Sequence, residues 1–230
     1  MTELDRYSIV STHMKRELIL LQGQGCVWKK CKFCDYYNDT SDNPFRINKP
    51  IIDKITGIYG VVDAINSGSI FELDSESMNY LRDKLREKNV HTMWCESHWL
   101  YHKRLGEIRK FFDGINVKFR VGAETFNAEM LKKWNKGIPQ HIAAETMAKY
   151  FDGVCPLVCV QGQTKEMIIK DIELAMKNFS YFNVNVFVEN RTEVKPDKEL
   201  VKWFTDEIAP KLEKYENIEV LLNNTDLGVG

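Results

Sequence analysis

Residues 154–178 read VCPLVCVQGQTKEMIIKDIELAMKN. The apolar run from Val154 to Val160 suits a buried strand, Gln161-Gly162-Gln163-Thr164 a polar turn, and Lys165 to Asn178 an amphipathic helix. Working outward, the same unit recurs along the chain. Strands are expected at 17–22, 61–66, 90–96, 117–122, 154–160 and 184–188, with a shorter one at 218–222. Helices are expected at 75–87, 99–112, 128–135, 138–151, 165–178 and 196–215. Met78, Leu81 and Leu85 show the helical period in the first, and Leu100, Leu105, Ile108 and Phe112 in the second. Asp197 opens the last helix, where a carboxylate complements the dipole. Regular strand–helix alternation predicts an α/β fold with mainly parallel strands and helical crossovers. Six such units suit a partial (β/α)6 TIM-type barrel. No repeat, low-complexity tract or linker interrupts residues 1–230, so a single domain is expected.

Composition narrows the function. With 43% hydrophobic and 28% charged residues the chain is neither disordered nor fibrous. Lys and Arg total 32 against 33 Asp and Glu, so charge offers no footprint for nucleic acid or acidic lipid. Apolar runs such as Ile19-Leu20-Leu21 are too short to span a bilayer, and the first residues show no basic and apolar leader. A cytoplasmic protein without a membrane partner is expected.

Ligands of parallel α/β sheets gather at the carboxyl ends of the strands. Here those ends read Gly23-Gln-Gly25-Cys26, Asn66-Ser67-Gly68-Ser69, Cys95-Glu96-Ser97-His98, Gly122-Ala-Glu124-Thr125, Gln161-Gly162-Gln163-Thr164 and Glu189-Asn190-Arg191. Strand ends are polar in any fold. The paired glycines and serines add something more, since they let backbone groups approach a ligand.

The first of these ends continues as Gly25-Cys26-Val-Trp-Lys-Lys-Cys31-Lys-Phe-Cys34, a Cys-x4-Cys-x2-Cys pattern. Lys29, Lys30 and Lys32 are placed to favour thiolates. Structural zinc takes four ligands, usually as two close pairs, and no fourth stands nearby. Three thiolates without a fourth suit a four-iron cluster with one iron left open. The spacing is also that of plant-type ferredoxins, which would draw a fourth cysteine from Cys95, Cys155 or Cys159.

The chain resembles the radical S-adenosylmethionine (radical SAM) superfamily through most of its length. Those enzymes carry a cysteine triad after the first strand of a partial (β/α)6 barrel, commonly with an aromatic residue before the third cysteine, as Phe33 is here. Their usual spacing is Cys-x3-Cys-x2-Cys, one residue shorter between the first two cysteines. Asn66-Ser67-Gly68-Ser69 looks like the second-strand motif of the elongator-type branch. Arg120 to Phe126 and Gln161-Gly-Gln-Thr164 are similar to its fourth- and fifth-strand segments.

The resemblance implies one radical SAM core domain, with a cluster loop at 23–37 and a C-terminal helix and tail at 196–230. It implies that Cys26, Cys31 and Cys34 hold a [4Fe–4S] cluster whose fourth iron takes the amino and carboxylate groups of SAM. Reductive cleavage of SAM would yield a 5′-deoxyadenosyl radical that abstracts a substrate hydrogen. Ser67, Gly68 and Ser69 would hold the methionyl amine, Glu96 or Glu124 the ribose, and Arg120 the methionyl carboxylate. Gly162, Glu189 and Asn190 are candidates for adenine. A reductant such as flavodoxin or ferredoxin is the implied partner. The compact chain favours a small-molecule substrate over RNA or protein, as in the similarly compact 7-carboxy-7-deazaguanine synthases. No catalytic side chain is singled out.

Plainer readings stand beside these. Arg120 and Glu124, four apart, can share a strand face and pair with each other. Glu96 can cap the following helix. Glu96 and His98 can form a polar rim, Cys155 and Cys159 can be buried core thiols, and His141 and Glu145 a surface helix pair. Trp99, Trp134, Phe151 and Trp203 fit as packing residues. The rival class is an iron–sulfur electron-transfer or regulatory protein without SAM chemistry, and a third is an activating enzyme for another protein.

Overall fold

The computed structural model describes residues 4–230. Its strands are β1 (Tyr7–Val10), β2 (Arg16–Leu21), β3 (Val61–Asn66), β4 (Thr92–Ser97), β5 (Asn116–Glu124), β6 (Gly153–Val158), β7 (Tyr181–Val186) and β8 (Ile218–Leu221). They are hydrogen-bonded neighbours in chain order. β1 runs antiparallel to β2; β2, β3 and β4 are parallel, and so are β5, β6, β7 and β8. Order, direction and crossovers are those of a partial TIM-type barrel. The helices are α1 (Pro44–Ile52), α2 (Ser75–Glu87), α3 (Leu105–Phe111), α4 (Ala128–Lys133), α5 (Ala144–Met147), α6 (Lys165–Asn178), α7 (Lys198–Trp203) and α8 (Ala209–Leu212). The chain forms two compact units. One holds the chain up to Lys29, Tyr36–Phe119 and Leu227–Gly230; the other holds Lys30–Asp35 and Arg120–Asp226.

In the first unit, buried charges begin β2. Arg16 is sealed from water, its Nε donating to Asp63 Oδ2 at 3.0 Å and its terminal nitrogen to Met14 O. Glu17 accepts from Thr56 N, Gly57 N and the Tyr7 hydroxyl, each at 2.7 Å. Pairing of this kind is what lets charges stay in a core. The end of β2 is fixed by Asn48 on α1. Its Oδ1 accepts from Gln22 N at 2.7 Å, and its Nδ2 donates to Gln22 O and to Ser77 Oγ on α2. The start of the cysteine loop is thereby tied to two helices. α2 forms as expected, capped by Asp74 and burying Met78, Leu81 and Leu85.

In the second unit, every residue of β6 is buried, including Cys155, and Cys159 just beyond is fully buried. Trp134 and Phe151 are packing residues here, as Trp99 is in the first unit. β5 carries an irregularity between Val121 and Glu124, where pairing advances three residues on β5 against two on β6. Glu124 itself adopts φ +68°. Arg120 and Glu124 therefore lose the common face that an extended strand would have given them.

Three expected helices are shorter or divided. Residues 99–112 split into a 3-10 turn at Trp99–Tyr101 and α3. Of 138–151 only α5 is α-helical, which leaves His141 outside the helix that was to pair it with Glu145. Residues 196–215 divide into α7, a π-turn at Phe204–Ile208 and α8, since Pro210 has no N–H to donate backward.

Asp171 on α6 is 3% exposed and accepts from Thr125 Oγ1 at 2.6 Å and Phe126 N at 2.8 Å. Burial raises its carboxyl to about 6, against the lowering effect of both hydrogen bonds. A folded pKa above the unfolded value gives a contribution to stability that is complete below about pH 4 and lost as pH rises through about 6. Asp171→Asn should therefore flatten stability against pH across that window, a change of about 3 kcal/mol in slope-integrated terms. Denaturant unfolding of both proteins through the window reads it, and parallel profiles would contradict the assignment.

Candidate functional site

In the first unit a candidate site is built around Glu72. Ser69 and Glu72 form a reciprocal cap on a 3-10 turn at Ile70–Glu72. Glu72 Oε2 accepts from Ser69 N at 2.6 Å and Oε1 from Val27 N at 2.8 Å, while Tyr101 OH approaches Oε1 at 3.3 Å. Its backbone carbonyl accepts from Gln24 N. One carboxylate thus joins the residue after Cys26 to the Asn66–Ser69 turn. Burial pushes its pKa up, against the lowering effect of the two amides. Gly68 lies beneath it. A Cβ there would collide with the Glu72 carboxylate and come within 3.2 Å of Cys26 Cα.

The three small residues of the turn divide their roles. Ser67 Oγ donates to Asp39 O, and the Asp39 carboxylate is itself held by both terminal nitrogens of Arg6 and by Gln22 Nε2. Ser69 Oγ accepts from His98 N, and its carbonyl accepts from Glu72 N and Asn66 Nδ2. The unspent group is Asn66 Oδ1, out of water and without a hydrogen-bond partner. Glu96 is the penultimate residue of β4 and is partly exposed. The cap on the following turn comes instead from His98, whose Nδ1 accepts from Leu100 N and whose ring stacks on Trp28.

The second unit holds Cys31 and Cys34. Lys32 N donates to Trp134 O at 3.0 Å, Asn135 Nδ2 to Lys30 O, Asn190 Nδ2 to Phe33 O at 2.7 Å, and Arg191 N to Asp35 Oδ2. Asn190, expected at adenine, spends its amide here, its Oδ1 accepting from Thr192. Phe33 sits edge-on to Trp134, and both cysteines pack against the cluster these rings share with Leu157 and Phe187. Glu189 pairs with Lys195 at 3.1 Å. Gly162 adopts φ +91° under the Lys133 ammonium.

Glu124 pairs with Lys136 at 2.7 Å. Lys136 is 7% exposed, and its Nζ lies over the Phe33 ring. Burial opposes its charge, but Glu124 and the sulfurs of Cys31 and Cys34 outweigh that and raise its pKa. Lys29, Lys30 and Lys32 are exposed, so the buried cation facing these two thiols is one the sequence reading passed over. Arg120, 2% exposed, stands 5.9 Å from the Tyr181 ring centroid.

All six cysteines are free thiols. Cys26, Cys31 and Cys34 are partly exposed; Cys95, Cys155 and Cys159 are buried. Burial pushes the Cys159 thiol up to about 12, with Asp197 adding to it. Among the described residues no three His, Cys, Asp or Glu side chains stand in metal-holding geometry. The fit to an iron–sulfur cluster rests on the donor chemistry: three accessible thiols on one loop, with a buried cation facing two of them. The fit to an amino acid ammonium rests on the shielded Asn66 acceptor.

No family model matches the chain, and no curated protein matches it significantly. Among solved structures, the queuine lyase from Clostridium spiroforme bound to SAM and queuine is 40% identical, with a TM-score of 0.94 over 99% of this chain and 100% of that one. The cobalamin-dependent S-adenosylmethionine radical enzyme OxsB, solved with aqua-cobalamin and SAM, is 10% identical at a TM-score of 0.41 over 86% of this chain and 29% of that one, too slight a likeness to argue from. The chain belongs to the radical SAM superfamily. It is an enzyme of SAM-dependent radical chemistry, and its cofactors are a [4Fe–4S] cluster and SAM. Enzymes of this class need a reductant. Among the described residues no helix is long and apolar enough to cross a membrane.

Proposed function

We propose that this protein is a radical SAM lyase acting on queuine. The observation that carries the reading is the 40% identity, end to end, with a queuine lyase holding SAM and queuine. Cys26, Cys31 and Cys34 hold the cluster, and the whole of 1–230 serves as one core, with its loop at 23–37 and its C-terminal portion at 196–230. When bound, the cluster and SAM together supply hydrogen-abstracting radical chemistry. The protein's own residues position and shield the reacting groups. Asn66 Oδ1 accepts from the methionyl ammonium, with Ser67, Gly68 and Ser69 shaping the turn around it. Glu96 or Glu124 meets the ribose, and Gly162 and Glu189 the adenine; Arg120, buried beside Tyr181 and level with the first residues of β6 and β7, stands away from the carboxyl ends and is not assigned to SAM. Asn190 acts by holding Phe33 in place. Lys136 offsets negative charge at Cys31 and Cys34. The substrate is a small molecule, the electron donor a flavodoxin or ferredoxin, and the compartment the cytoplasm.

The test is anaerobic incubation of the reconstituted protein with dithionite, SAM and queuine, followed by mass spectrometry. Queuine should disappear only when SAM is present. SAM cleavage with queuine left intact would remove the substrate from this reading and leave the radical chemistry standing.

A further inference from the structure

We propose that Asn185 reads a donor N–H on a planar nitrogen heterocycle bound at this site, with its Oδ1 as the acceptor; the inference rests on the queuine reading above. Along β7, Tyr181, Asn183 and Asn185 alternate with Phe182, Val184 and Val186, so the strand has one polar and one apolar face. α6 packs on β6 and β7. Its buried stripe of Ile168, Ile172 and Ala175 takes the apolar face. The polar face is turned away from that helix.

The lower part of the polar face is closed on itself. Tyr181 OH donates to Glu219, and Asn183 Nδ2 donates to Glu219 Oε2 at 2.8 Å and to Tyr181 OH at 2.9 Å. Asn183 and Glu219 are 4% and 3% exposed. Asn185, one rung nearer the carboxyl end, differs. Its Oδ1 is shielded from water and has no hydrogen-bond partner, although the residue as a whole is only partly buried. An acceptor in that state has given up its hydration with no bond in return. A ligand donor supplies that bond.

Register places Asn185 opposite Leu157 on β6 and Leu221 on β8. Leu157 belongs to the cluster with Phe33 and Phe187 against which Cys31 and Cys34 pack. The open acceptor therefore lies on the sheet face that carries the cysteine segment. Its neighbours there are apolar, which disfavours a charged group and favours the flat face of a heterocycle. A side-chain amide also offers a donor beside its acceptor, matching the paired donor and acceptor edge of a purine-like base. Two such edges are at hand: the aminopyrimidinone of queuine and the amino group of the SAM adenine.

Asn185→Leu removes the amide, and Asn185→Asp keeps an acceptor. Queuine and SAM are titrated separately into each anaerobically reconstituted protein, with cluster content measured alongside. The leucine variant should weaken one ligand by roughly tenfold or more, and the aspartate variant by less. Loss confined to queuine assigns the substrate edge to Asn185; loss confined to SAM assigns the adenine. Unchanged dissociation constants for both, with the cluster intact, would overturn the proposal. Asn185→Ser gives the same reading should the leucine variant fail to fold. Wild-type protein that binds SAM but not queuine would refute the queuine reading alone, and the SAM titration would still decide for or against Asn185.

Discussion

A Cys31→Ala protein, reconstituted anaerobically with iron and sulfide, should keep only a small fraction of the wild-type iron and form 5′-deoxyadenosine more than about 100-fold more slowly. Loss of an outer-shell partner alone typically costs 10–100-fold in a metal site, and this change removes a first ligand. The substitution should spare the fold. Cys31 is partly exposed, and the segment around it is held by bonds that do not use the thiol: Lys32 N to Trp134 O, Asn135 to Lys30 O and Asn190 to Phe33 O. Circular dichroism and thermal unfolding of the metal-free protein should therefore match the wild type. Full iron retention in a folded variant would remove Cys31 from the ligand set.

Gly68→Val should act differently, losing SAM while keeping iron. The new Cβ meets the Glu72 carboxylate, which cannot retreat without releasing Ser69 N and Val27 N. Each buried amide so released costs about 1–3 kcal/mol. The turn that presents Asn66 Oδ1 is then misplaced, and SAM affinity should fall by about 100-fold or more, two such losses together. The three thiols remain on the chain, and although Cys26 is disturbed by the loss of the Val27 tether, most of the cluster absorbance should persist while SAM affinity falls. An unchanged SAM dissociation constant would mean that the Asn66–Ser69 turn does not serve SAM.

Much of this arrangement was legible before any coordinates. Cysteine spacing marked the loop, since three thiols within nine residues have few structural uses. The apolar runs marked the strands because parallel strands are buried on both faces. Residues at their carboxyl ends marked where chemistry gathers. What escaped had local causes. β1 is four residues long, below what alternation can register. α1 contains Pro50 and was passed over, although Asn43 and Pro44 form an ordinary helix start. The irregularity before Glu124 reassigned its partner from Arg120 to Lys136, and no periodicity foretells a bulge. Ser69-x-x-Glu72 is a capping-box signature that could have been found, but the serine was read only as a ligand contact. Asn185 was hidden by register. In the strand expected at 184–188 Asn185 falls near the amino end, whereas β7 ends at Val186 and brings it near the carboxyl end.

The central claim is that this loop carries a four-iron cluster serving SAM. Electron paramagnetic resonance of the dithionite-reduced, reconstituted protein, recorded with and without SAM alongside a 5′-deoxyadenosine assay, tests it most directly. The expected result is a four-iron signal whose shape changes on adding SAM, with 5′-deoxyadenosine formed. A two-iron signal indifferent to SAM, with no 5′-deoxyadenosine, would contradict it.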